Sequence, residues 1–352
     1  MFNFLLGLFS YDIAVDLGTA NTFVGTIEKG IILSEKSCIA LNSKTREVLA
    51  VGLKAYQMVG KTPKSINAIY PLQNGVISDL DACEKMLRYF ISIVHSSETG
   101  FAKIPRPRAV ISVPSLITEV EQRAVVRVAE NAGIRKAYLI EEPISSAIGA
   151  GIDILDSSGN MIIDIGGGTT DIAVISLGGI VVDKTLRTGG NKMTEDIINY
   201  CKEKFNVLIG EAQAENAKTI FANVSNEDFS VKNKDYYEVR GRNLKTGLPE
   251  VVKLSQYDLN LALKVTLDTV IDNIKLAIED TPPELVSDIL KNGLFLVGGG
   301  AKLKGFAKVL ENVVKVKVNI CSNAETSVID GNLKLLSDKK LLEIVKIPIE
   351  ST

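Results

Sequence analysis

Two segments of the chain share one pattern of apolar and polar positions. In the first, a short apolar strand ends at Asp16, and the turn Leu17-Gly18-Thr19-Ala20-Asn21-Thr22 follows it. In the second, a similar strand ends at Asp164, and the turn Ile165-Gly166-Gly167-Gly168-Thr169-Thr170 follows. Each turn leads into a second apolar strand, another glycine turn and a third strand. The pattern predicts an internal duplication, with one copy in each half of an α/β protein.

The remaining pattern predicts a third glycine turn and several helices. Leu294-Phe295-Leu296-Val297 has the composition of a buried strand, and Gly298-Gly299-Gly300 stands at its end. Ligands of open α/β sheets bind beyond the carboxyl ends of the strands, so we expect the three turns to converge on one ligand. The polar region from about Ala222 to Pro249 is predicted to be a loop-rich inserted subdomain. The other predicted elements are the strands Phe23 to Ile27 and Ile172 to Leu177, a helix that Thr118 caps and that ends before Gly133, a helix with Pro143 at its first position, and the helices Met193 to Phe205 and Leu259 to Glu279.

The composition of these turns is typical of phosphate binding. Glycine lets the backbone approach phosphate oxygens closely, and the N–H groups of such a turn point towards them. A carboxylate beside a phosphate needs a cation between them, and Mg²⁺ requires only one or two carboxylates besides phosphate and water. Asp16 and Asp164 are therefore the predicted Mg²⁺ residues, and the predicted ligand is a nucleoside triphosphate, in the first place ATP. Two unrelated hairpins whose Asp residues merely end strands are the alternative, which the repetition of the pattern disfavours. Neither the P-loop motif GxxxxGK[ST] nor the dinucleotide-binding motif GxGxxG is present, so these two common kinds of phosphate site are not supported.

Length and composition narrow the class of protein. At 352 residues the chain is too long for one ordinary core, so we expect two large domains or one divided assembly. A net charge of −2 and a pI near 5.8 give no basis for nucleic-acid binding. The four cysteines are far apart and form no CxxC pair, which favours a reducing cytoplasm over a zinc site or a disulfide framework. The single histidine, His95, has no evident catalytic partner.

The segment MFNFLLGLFS at the start of the chain is apolar but too short to cross a membrane. It lacks the basic start and the cleavage site of a signal peptide. On a helix it is amphipathic, which predicts a segment that lies in a membrane interface. The alternative is that it packs against the protein's own surface. The residues predicted to enter the membrane are Phe2, Phe4, Leu5, Leu6 and Phe9. The loop from Gly100 to Arg108 is a second predicted membrane contact.

Taken together, these motifs resemble the MreB family of bacterial actin homologues. The two glycine turns alone identify only the wider superfamily of actins, sugar kinases and seventy-kilodalton chaperones. Three segments are far more specific to the family, and the resemblance covers nearly the whole chain. These segments are Asp16-Leu17-Gly18-Thr19-Ala20-Asn21-Thr22, Ile140-Glu141-Glu142-Pro143 and Thr281-Pro282-Pro283-Glu284-Leu285.

The resemblance implies a duplicated actin-like (ribonuclease H-like) ATPase fold with two lobes, a nucleotide cleft and small inserted subdomains. It implies slow ATP hydrolysis coupled to polymerisation into paired protofilaments that control cell shape at the inner face of the cytoplasmic membrane. The implied partners are further copies of the chain, that membrane, membrane morphogenesis proteins and MreB paralogues. The implied subdomains are IA at 1–33, 74–148 and 325–352, IB at 34–73, IIA at 149–184 and 251–324, and IIB at 185–250.

The resemblance also assigns roles to matching positions. Glu142 and Thr169 match the catalytic positions that orient the attacking water. Without the resemblance, a favourable charge at a helix N-terminus explains Glu142 equally well. Phosphates would lie on the two turns, and the adenosine would lie near Glu215, Lys218 and the third turn. The implied nucleotide-binding residues are Gly18, Thr19, Ala20, Asn21, Gly166, Gly167, Gly168, Thr169, Glu215, Lys218, Gly298, Gly299, Gly300 and Ala301.

The chain departs from the family pattern at four places. The family usually has Arg at Tyr70, Asp at Asn74 and Asp at Asn191, and its Gly-x-Gly is here Gly331-Asn332-Leu333. The water-orienting residues are kept, so the departures concern polymer contacts and partner choice. A small-molecule kinase of the same superfamily is the alternative function, but it would need a base and a second polar pocket that the sequence does not indicate. A chaperone would need a further peptide-binding domain.

Overall fold

The computed structural model of the chain describes residues 11–96, 106–225 and 235–348. Its strands are β1 (Ile13–Leu17), β2 (Asn21–Thr26), β3 (Gly30–Lys36), β4 (Ile39–Asn42), β5 (Val48–Val51), β6 (Ile66–Ile69), β7 (Leu72–Gln73), β8 (Val76–Ile77), β9 (Arg108–Val113), β10 (Lys136–Glu141), β11 (Asn160–Ile165), β12 (Thr170–Ser176), β13 (Gly179–Leu186), β14 (Val207–Ile209), β15 (Tyr237–Asn243), β16 (Pro249–Leu254), β17 (Leu294–Val297) and β18 (Val318–Ile320). Its α-helices are α1 (Leu53–Tyr56), α2 (Leu80–Ser96), α3 (Glu119–Asn131), α4 (Glu142–Gly149), α5 (Gly190–Phe205), α6 (Glu211–Asn216), α7 (Gln256–Glu279), α8 (Pro283–Asn292), α9 (Phe306–Val314), α10 (Ser327–Ser337) and α11 (Lys339–Val345).

Two five-stranded sheets with the same strand order form two lobes. The order is β10-β9-β1-β2-β3 in lobe I and, from the corresponding edge, β18-β17-β11-β12-β13 in lobe II. In both sheets three antiparallel strands form a meander, and two parallel strands extend it on the other side. Parallel neighbours need a crossover, which α3 supplies between β9 and β10 and α9 supplies between β17 and β18. The duplication predicted from the two glycine turns is confirmed by this topology.

Capping side chains decide where two of the helices begin. The predicted capping box at α3 is present, since Thr118 and Glu121 satisfy each other's backbone N–H groups. A second box, formed by Ser255 and Asp258, was not predicted from the sequence. It starts α7 at Gln256, three residues before the predicted start of that helix.

Two other predicted helix starts are wrong by a few residues. Pro143 is the second residue of α4, because Glu141 is the N-cap. Helix α5 begins at Gly190 and not at Met193. The first N–H groups of α5 donate hydrogen bonds to the second glycine turn. The Gly190 N–H, for example, donates to the Gly166 carbonyl oxygen at 2.9 Å. These bonds satisfy the free end of the helix and extend it towards the turn.

The region predicted to be loop-rich contains a strand, so that prediction is wrong in part. Strand β15 pairs with β14 and β16 in a three-stranded antiparallel sheet. One face of this sheet is exposed: Val239 is fully buried, whereas Glu238 and Arg240 point to solvent. A half-exposed strand carries as many polar as apolar residues, which explains its polar composition. A second small sheet, β5-β4-β6, lies in the range predicted for subdomain IB. The four subdomain boundaries themselves remain predictions.

A hydrophobic core fills each lobe, and a third core lies between the two sheets. The third core brings together Ile140 and Ile144 of lobe I with Ile162 of lobe II. Leu335 of α10 and Leu342 of α11 close it on one side. Helices α4 and α10 therefore pack where the two lobes join.

Helices α4 and α10 are in direct backbone contact. A Cβ atom on Gly149 would lie 1.8 Å from the Ser327 carbonyl oxygen, and one on Gly331 would lie 1.9 Å from the Ser145 carbonyl oxygen. Only glycine permits this approach, because any side chain at either position would overlap the facing main chain. The crossing fixes the spacing of the two helices with main-chain atoms.

Three of the composition-based expectations can be compared with the fold. The four cysteines are all free thiols. His95 lies buried in the last turn of α2 with a ring nitrogen 3.0 Å from the Ile91 carbonyl oxygen, which is a structural position. Across residues 11–96, 106–225 and 235–348, the helices are too short or too polar to cross a bilayer.

Candidate functional site

A cavity of about 410 Å³ lies between the lobes, at the ends of β1 and β11. This volume is within the range of ordinary small-molecule sites. The sequence-predicted residues that line it are Asp16, Gly18, Thr19, Ala20, Asn21, Glu142, Asp164, Gly166, Gly167, Gly168, Thr169, Glu215, Lys218, Gly298, Gly299 and Gly300. Ala301 does not line it, because its side chain is fully buried in the core of lobe II. The three glycine turns thus meet at one cavity, as the strand-end rule predicts.

The first two glycine turns touch each other at the floor of the cavity. A Cβ atom on Gly167 would lie 2.4 Å from the Ala20 Cβ, and one on Gly168 would lie 2.5 Å from the Thr19 hydroxyl oxygen. Glycine is therefore required here for the close approach of two backbones, one from each lobe. Turns of this composition offer backbone N–H groups to phosphate oxygens.

A tight hairpin supports the first turn from the side. Strands β7 and β8 are joined by Asn74 and Gly75, which take φ angles of 50° and 80°. Two positive φ angles define a type I′ turn, for which Asn-Gly is a favoured pair. The Gly75 N–H donates to the Thr19 hydroxyl at 2.9 Å, and a Cβ on Gly75 would lie 2.8 Å from the Thr169 Cγ2. Asn74, one of the departures from the family pattern, thus has a backbone role.

Two carboxylates, one from each lobe, lie at the cavity. Burial, and then the negative charge of Asp164, raise the pKa of Asp16 to about 7. Burial raises the pKa of Asp164 to about 6, against a 2.6 Å hydrogen bond from the Ser146 hydroxyl that lowers it. Two acids at one cavity that repel each other are a site where a divalent cation would relieve the repulsion.

These carboxylates fit Mg²⁺ bound to a nucleotide better than a metal held by protein alone. Within the described ranges, no group of three or more His, Cys, Asp or Glu side chains is arranged as a metal cage. Mg²⁺ takes one or two carboxylates and completes its octahedron with phosphate and water. Asp16 and Asp164 supply that number.

Glu142 has both properties that the sequence suggests for it, a position at a helix N-terminus and a position at the site. It is the first residue of α4, and it also lines the cavity. Burial, and then the charges of Asp171, Asp16 and Asp164, raise its pKa well above the usual range. Its neighbour Glu141 has a pKa raised by burial and by Asp183, but it does not line the cavity. A carboxyl group with a raised pKa beside phosphate turns is suited to hold a water molecule and to accept its proton.

Asp171 is an acidic residue that the sequence reasoning missed. It is 1% exposed, and its Oδ1 accepts a 2.6 Å hydrogen bond from the Thr185 hydroxyl. Its Oδ2 is buried and has no hydrogen-bond partner among the residues that the structure describes. Burial raises its pKa to about 7. A signal was present in the sequence, because Asp171 follows the second turn directly.

Lys218 and Glu215 form a polar group at another wall of the cavity. The Lys218 ammonium donates to the Gly190 carbonyl at 2.7 Å and to the Thr194 hydroxyl at 2.9 Å, and it pairs with Glu215 at 2.6 Å. Burial lowers the pKa of Lys218. These partners lie in α5 and in α6, which directly precedes Lys218. The protein itself therefore fixes the position of the lysine before any ligand binds.

Several lining residues carry no sequence signal. They come from strands, loops and the starts of helices such as α5 and α10, which only the tertiary fold brings to the cavity. The further lining residues are Leu17, Phe23, Lys36, Gly75, Gly190, Asn191, Met193, Thr219, Lys302, Leu303, Ala324, Glu325 and Val328. Gly190 is the exception, because a Gly-Gly pair before a helix is a recognisable start.

The predicted membrane residues Phe2, Phe4, Leu5, Leu6 and Phe9 lie outside the described residues. The loop Gly100 to Arg108, a second predicted membrane contact, also lies mostly outside them. Its last residue, Arg108, forms an ion pair with Asp12 beside β9. This ion pair therefore holds the Arg108 side chain on the protein surface, next to the start of β1.

Comparisons with known proteins agree with this architecture. A family model described as MreB/Mbl protein matches residues 10–344. The cell shape-determining protein Mbl of Bacillus subtilis (strain 168) is 40% identical over 344 residues, which are 95% of this chain and 100% of that protein. The cell shape-determining protein MreB of Escherichia coli (strain K12) is 42% identical over 334 residues, which are 94% of each.

A solved structure extends the comparison to the fold. MreB 5 of Spiroplasma citri bound to AMPPNP is 34% identical and superposes with a TM-score of 0.86, covering 95% of this chain and 98% of that chain. The expected two-lobed, actin-like α/β fold is therefore confirmed. The chain belongs to the MreB/Mbl protein family.

Proposed function

We propose that this chain is a cytoskeletal ATPase, which binds and slowly hydrolyses ATP and polymerises into membrane-associated filaments that control cell shape. The observation that carries the proposal is the cavity where two glycine turns and two buried carboxylates, one of each from each lobe, come together. Family membership supports it, because two relatives carry the name cell shape-determining protein. The Spiroplasma citri relative binds the triphosphate AMPPNP, which supports ATP as the ligand here.

The chemistry follows from positioning and charge. The turns at Gly18 to Asn21 and Gly166 to Thr169 hold the phosphates with backbone N–H groups. Asp16 and Asp164 would hold Mg²⁺ beside the phosphates, where the ion would supply positive charge against theirs. Glu142 orients a water molecule in line with the bond to the leaving oxygen, together with Thr169. The water oxygen bonds to the γ-phosphorus, the bond to the β–γ bridging oxygen breaks, and the water proton passes towards Glu142.

Adenosine binds along the wall formed by Lys218, Glu215 and the third turn. The Lys218 side chain is held by Gly190 and Thr194, so the wall is preformed. The third turn at Gly298 to Gly300 brings bare backbone to the cavity.

The polymer places many copies of the chain at the inner face of the cytoplasmic membrane. The amphipathic sequence at the start of the chain supports this location, since Phe2, Leu5, Leu6 and Phe9 have the spacing that would place them on one face of a helix. Weak membrane binding by one copy becomes firm binding when a filament presents many copies. Membrane morphogenesis proteins and MreB paralogues are the partners that fit this location.

Three assays on the purified full chain test the proposal against a small-molecule kinase. Sedimentation and electron microscopy with ATP, ADP or no nucleotide should reveal filaments whose amount or lifetime depends on the nucleotide. Phosphate release should accompany them without any added acceptor. A chain that stays monomeric at tens of micromolar with ATP, with or without lipid, would contradict the filament proposal. Phosphorylation of added sugars would favour the kinase.

A further inference from the structure

Asn332 occupies an unusual position for an amide side chain. It lies in α10, next to Gly331 at the crossing with α4, and it is fully buried. A buried amide is costly unless its donor and its acceptor are both paired. The partners of Asn332 therefore indicate what this position does.

The two ends of the Asn332 amide bond to different structural elements. Its Nδ2 donates to the Val15 carbonyl oxygen at 3.0 Å, in β1. Its Oδ1 accepts from the Ser145 hydroxyl at 2.8 Å, in α4. Ser145 is itself fully buried, so water does not compete for this contact. The amide thus ties the first strand of lobe I to the helix at the junction of the lobes.

Both attachment points are adjacent to the predicted Mg²⁺ carboxylates. Val15 directly precedes Asp16 in β1. Ser145 directly precedes Ser146, whose hydroxyl donates to the Asp164 Oδ2 at 2.6 Å. A continuous path therefore runs from Asp16 through Asn332 and the serine pair to Asp164.

We infer that Asn332 is a positioning residue for the metal site, because it sets the spacing of the two carboxylates across the cleft. Asn332 itself does not line the cavity. The glycine crossing of α4 and α10 holds the helices at a fixed distance, and the amide then locks β1 onto that crossing. Outer partners that orient metal-binding carboxylates typically change metal affinity 10–100-fold when they are removed.

The test measures Mg²⁺ dependence of nucleotide binding, which does not require hydrolysis. Asn332→Leu keeps the branched shape of the side chain but removes both hydrogen bonds, and Ser145→Ala cuts only the α4 side of the path. For each, the dissociation rate of a fluorescent ATP analogue is measured over a series of Mg²⁺ concentrations, and Mn²⁺ binding in the presence of the analogue is followed by electron paramagnetic resonance. We expect the half-maximal Mg²⁺ concentration to rise about tenfold, while binding without Mg²⁺ stays within about twofold.

The matched control is Ser327→Ala on the same helix. The Ser327 hydroxyl is equally buried but bonds only to the Ala324 carbonyl oxygen, so its removal perturbs α10 without cutting the path. Ser145→Ala and Asn332→Leu should also combine non-additively, because they cut the same path. An unchanged Mg²⁺ curve in a folded Ser145→Ala variant, or additive effects of the pair, would overturn the inference.

This inference rests on the proposed ATP site, and the two fail in different ways. If the unmodified chain binds no triphosphate, the proposed function is wrong. If the unmodified chain binds ATP with Mg²⁺ and the variants show the same Mg²⁺ dependence, only the role of Asn332 is wrong.

Discussion

The Tyr70 hydroxyl donates a 2.7 Å hydrogen bond to the Glu211 carboxylate, although the two residues are 141 positions apart. Tyr70 follows β6 of the small sheet inserted into lobe I, and Glu211 begins α6 in lobe II. The bond therefore joins the two lobes next to the wall that Glu215 lines. Burial and then the hydrogen bond to Glu211 raise the pKa of Tyr70, so its hydroxyl keeps its proton at any working pH.

Removing this bond should make nucleotide leave faster. A hydrogen bond of this kind contributes about 0.5–1.5 kcal/mol to the closed arrangement, so Tyr70→Phe should raise the dissociation rate roughly 2–10-fold. Stopped-flow measurement with a fluorescent nucleotide checks it. The control is Tyr56→Phe. The Tyr56 ring lies next to Tyr70, with 6.4 Å between the two ring centres. The substitution keeps this ring and leaves the bond between Tyr70 and Glu211 intact. Equal rates in Tyr70→Phe and the unmodified chain would mean that the contact does not restrain the lobes.

Glu142→Gln should separate hydrolysis from binding. The change keeps the shape of a residue at the cavity but removes its ability to accept a proton, so phosphate release should fall roughly 10²-fold. Nucleotide affinity should stay nearly constant, because phosphate binding depends on the turns. Glu141→Gln is the matched control, since Glu141 precedes α4 and does not line the cavity. Hydrolysis at the normal rate in Glu142→Gln would remove this residue from the mechanism.

The buried carboxyl of Asp171 should make the ligand-free protein less stable as pH rises. Its pKa is about 7 in the folded chain against an ordinary value of 3.8, so between these values the folded state binds more protons than the unfolded state. The free energy of unfolding therefore falls as pH rises through this window, and the loss is complete above pH 7. Asp171→Asn removes this titration, and its unfolding free energy should decline less between pH 6 and pH 8 in urea denaturation.

A surface carboxylate provides the control for this pH effect. Hydrogen bonds and ion pairing with Lys85 and Arg46, acting against its burial, lower the pKa of Asp81, so it titrates below the window. Asp81→Asn should shift the stability by the same amount at pH 6, 7 and 8. If the unfolding free energies of Asp171→Asn and of the unmodified chain declined in parallel between pH 6 and pH 8, Asp171 would be ionised over this whole pH range.

Deleting residues 2–9 should reduce lipid binding. Each buried Phe or Leu side chain contributes on the order of 1.5–3 kcal/mol before ordering costs, so loss of the segment should release most filaments from vesicles. Co-sedimentation with phosphatidylglycerol-containing liposomes compares the full and shortened chains. A second comparison without lipid checks that the shortened chain still polymerises. Equal lipid binding by the two chains would show that residues 2–9 pack on the protein itself.

The sequence predicts the parts of the site that are local in the chain. A strand, an acidic residue and a glycine turn stand next to one another at Asp16 and again at Asp164, so their pattern indicates their function directly. The predicted role of Glu142 comes from the family resemblance, because the residues alone are explained equally well by a favourable charge at a helix N-terminus. A reading that uses only local pattern also fails to predict strand β15. The exposed face of this strand carries polar residues, so its composition resembles that of a loop.

The connections between these parts are not local, and no sequence pattern predicts them. Nothing near Val15 indicates that Asn332 bonds to its carbonyl, and nothing near Tyr70 indicates Glu211 as its partner. Lys36 and Lys302 reach the cavity only because two sheets face each other. Such contacts depend on the packing of complete lobes, so they require the three-dimensional structure.

The bond between Val15 and Asn332 spans 317 positions, and this has a consequence for biosynthesis. At about 5–20 residues per second, roughly 15–60 s separate the synthesis of β1 from that of α10. Throughout that interval the first strand lacks the helix that anchors it. A chain still on the ribosome therefore holds an unfinished nucleotide site.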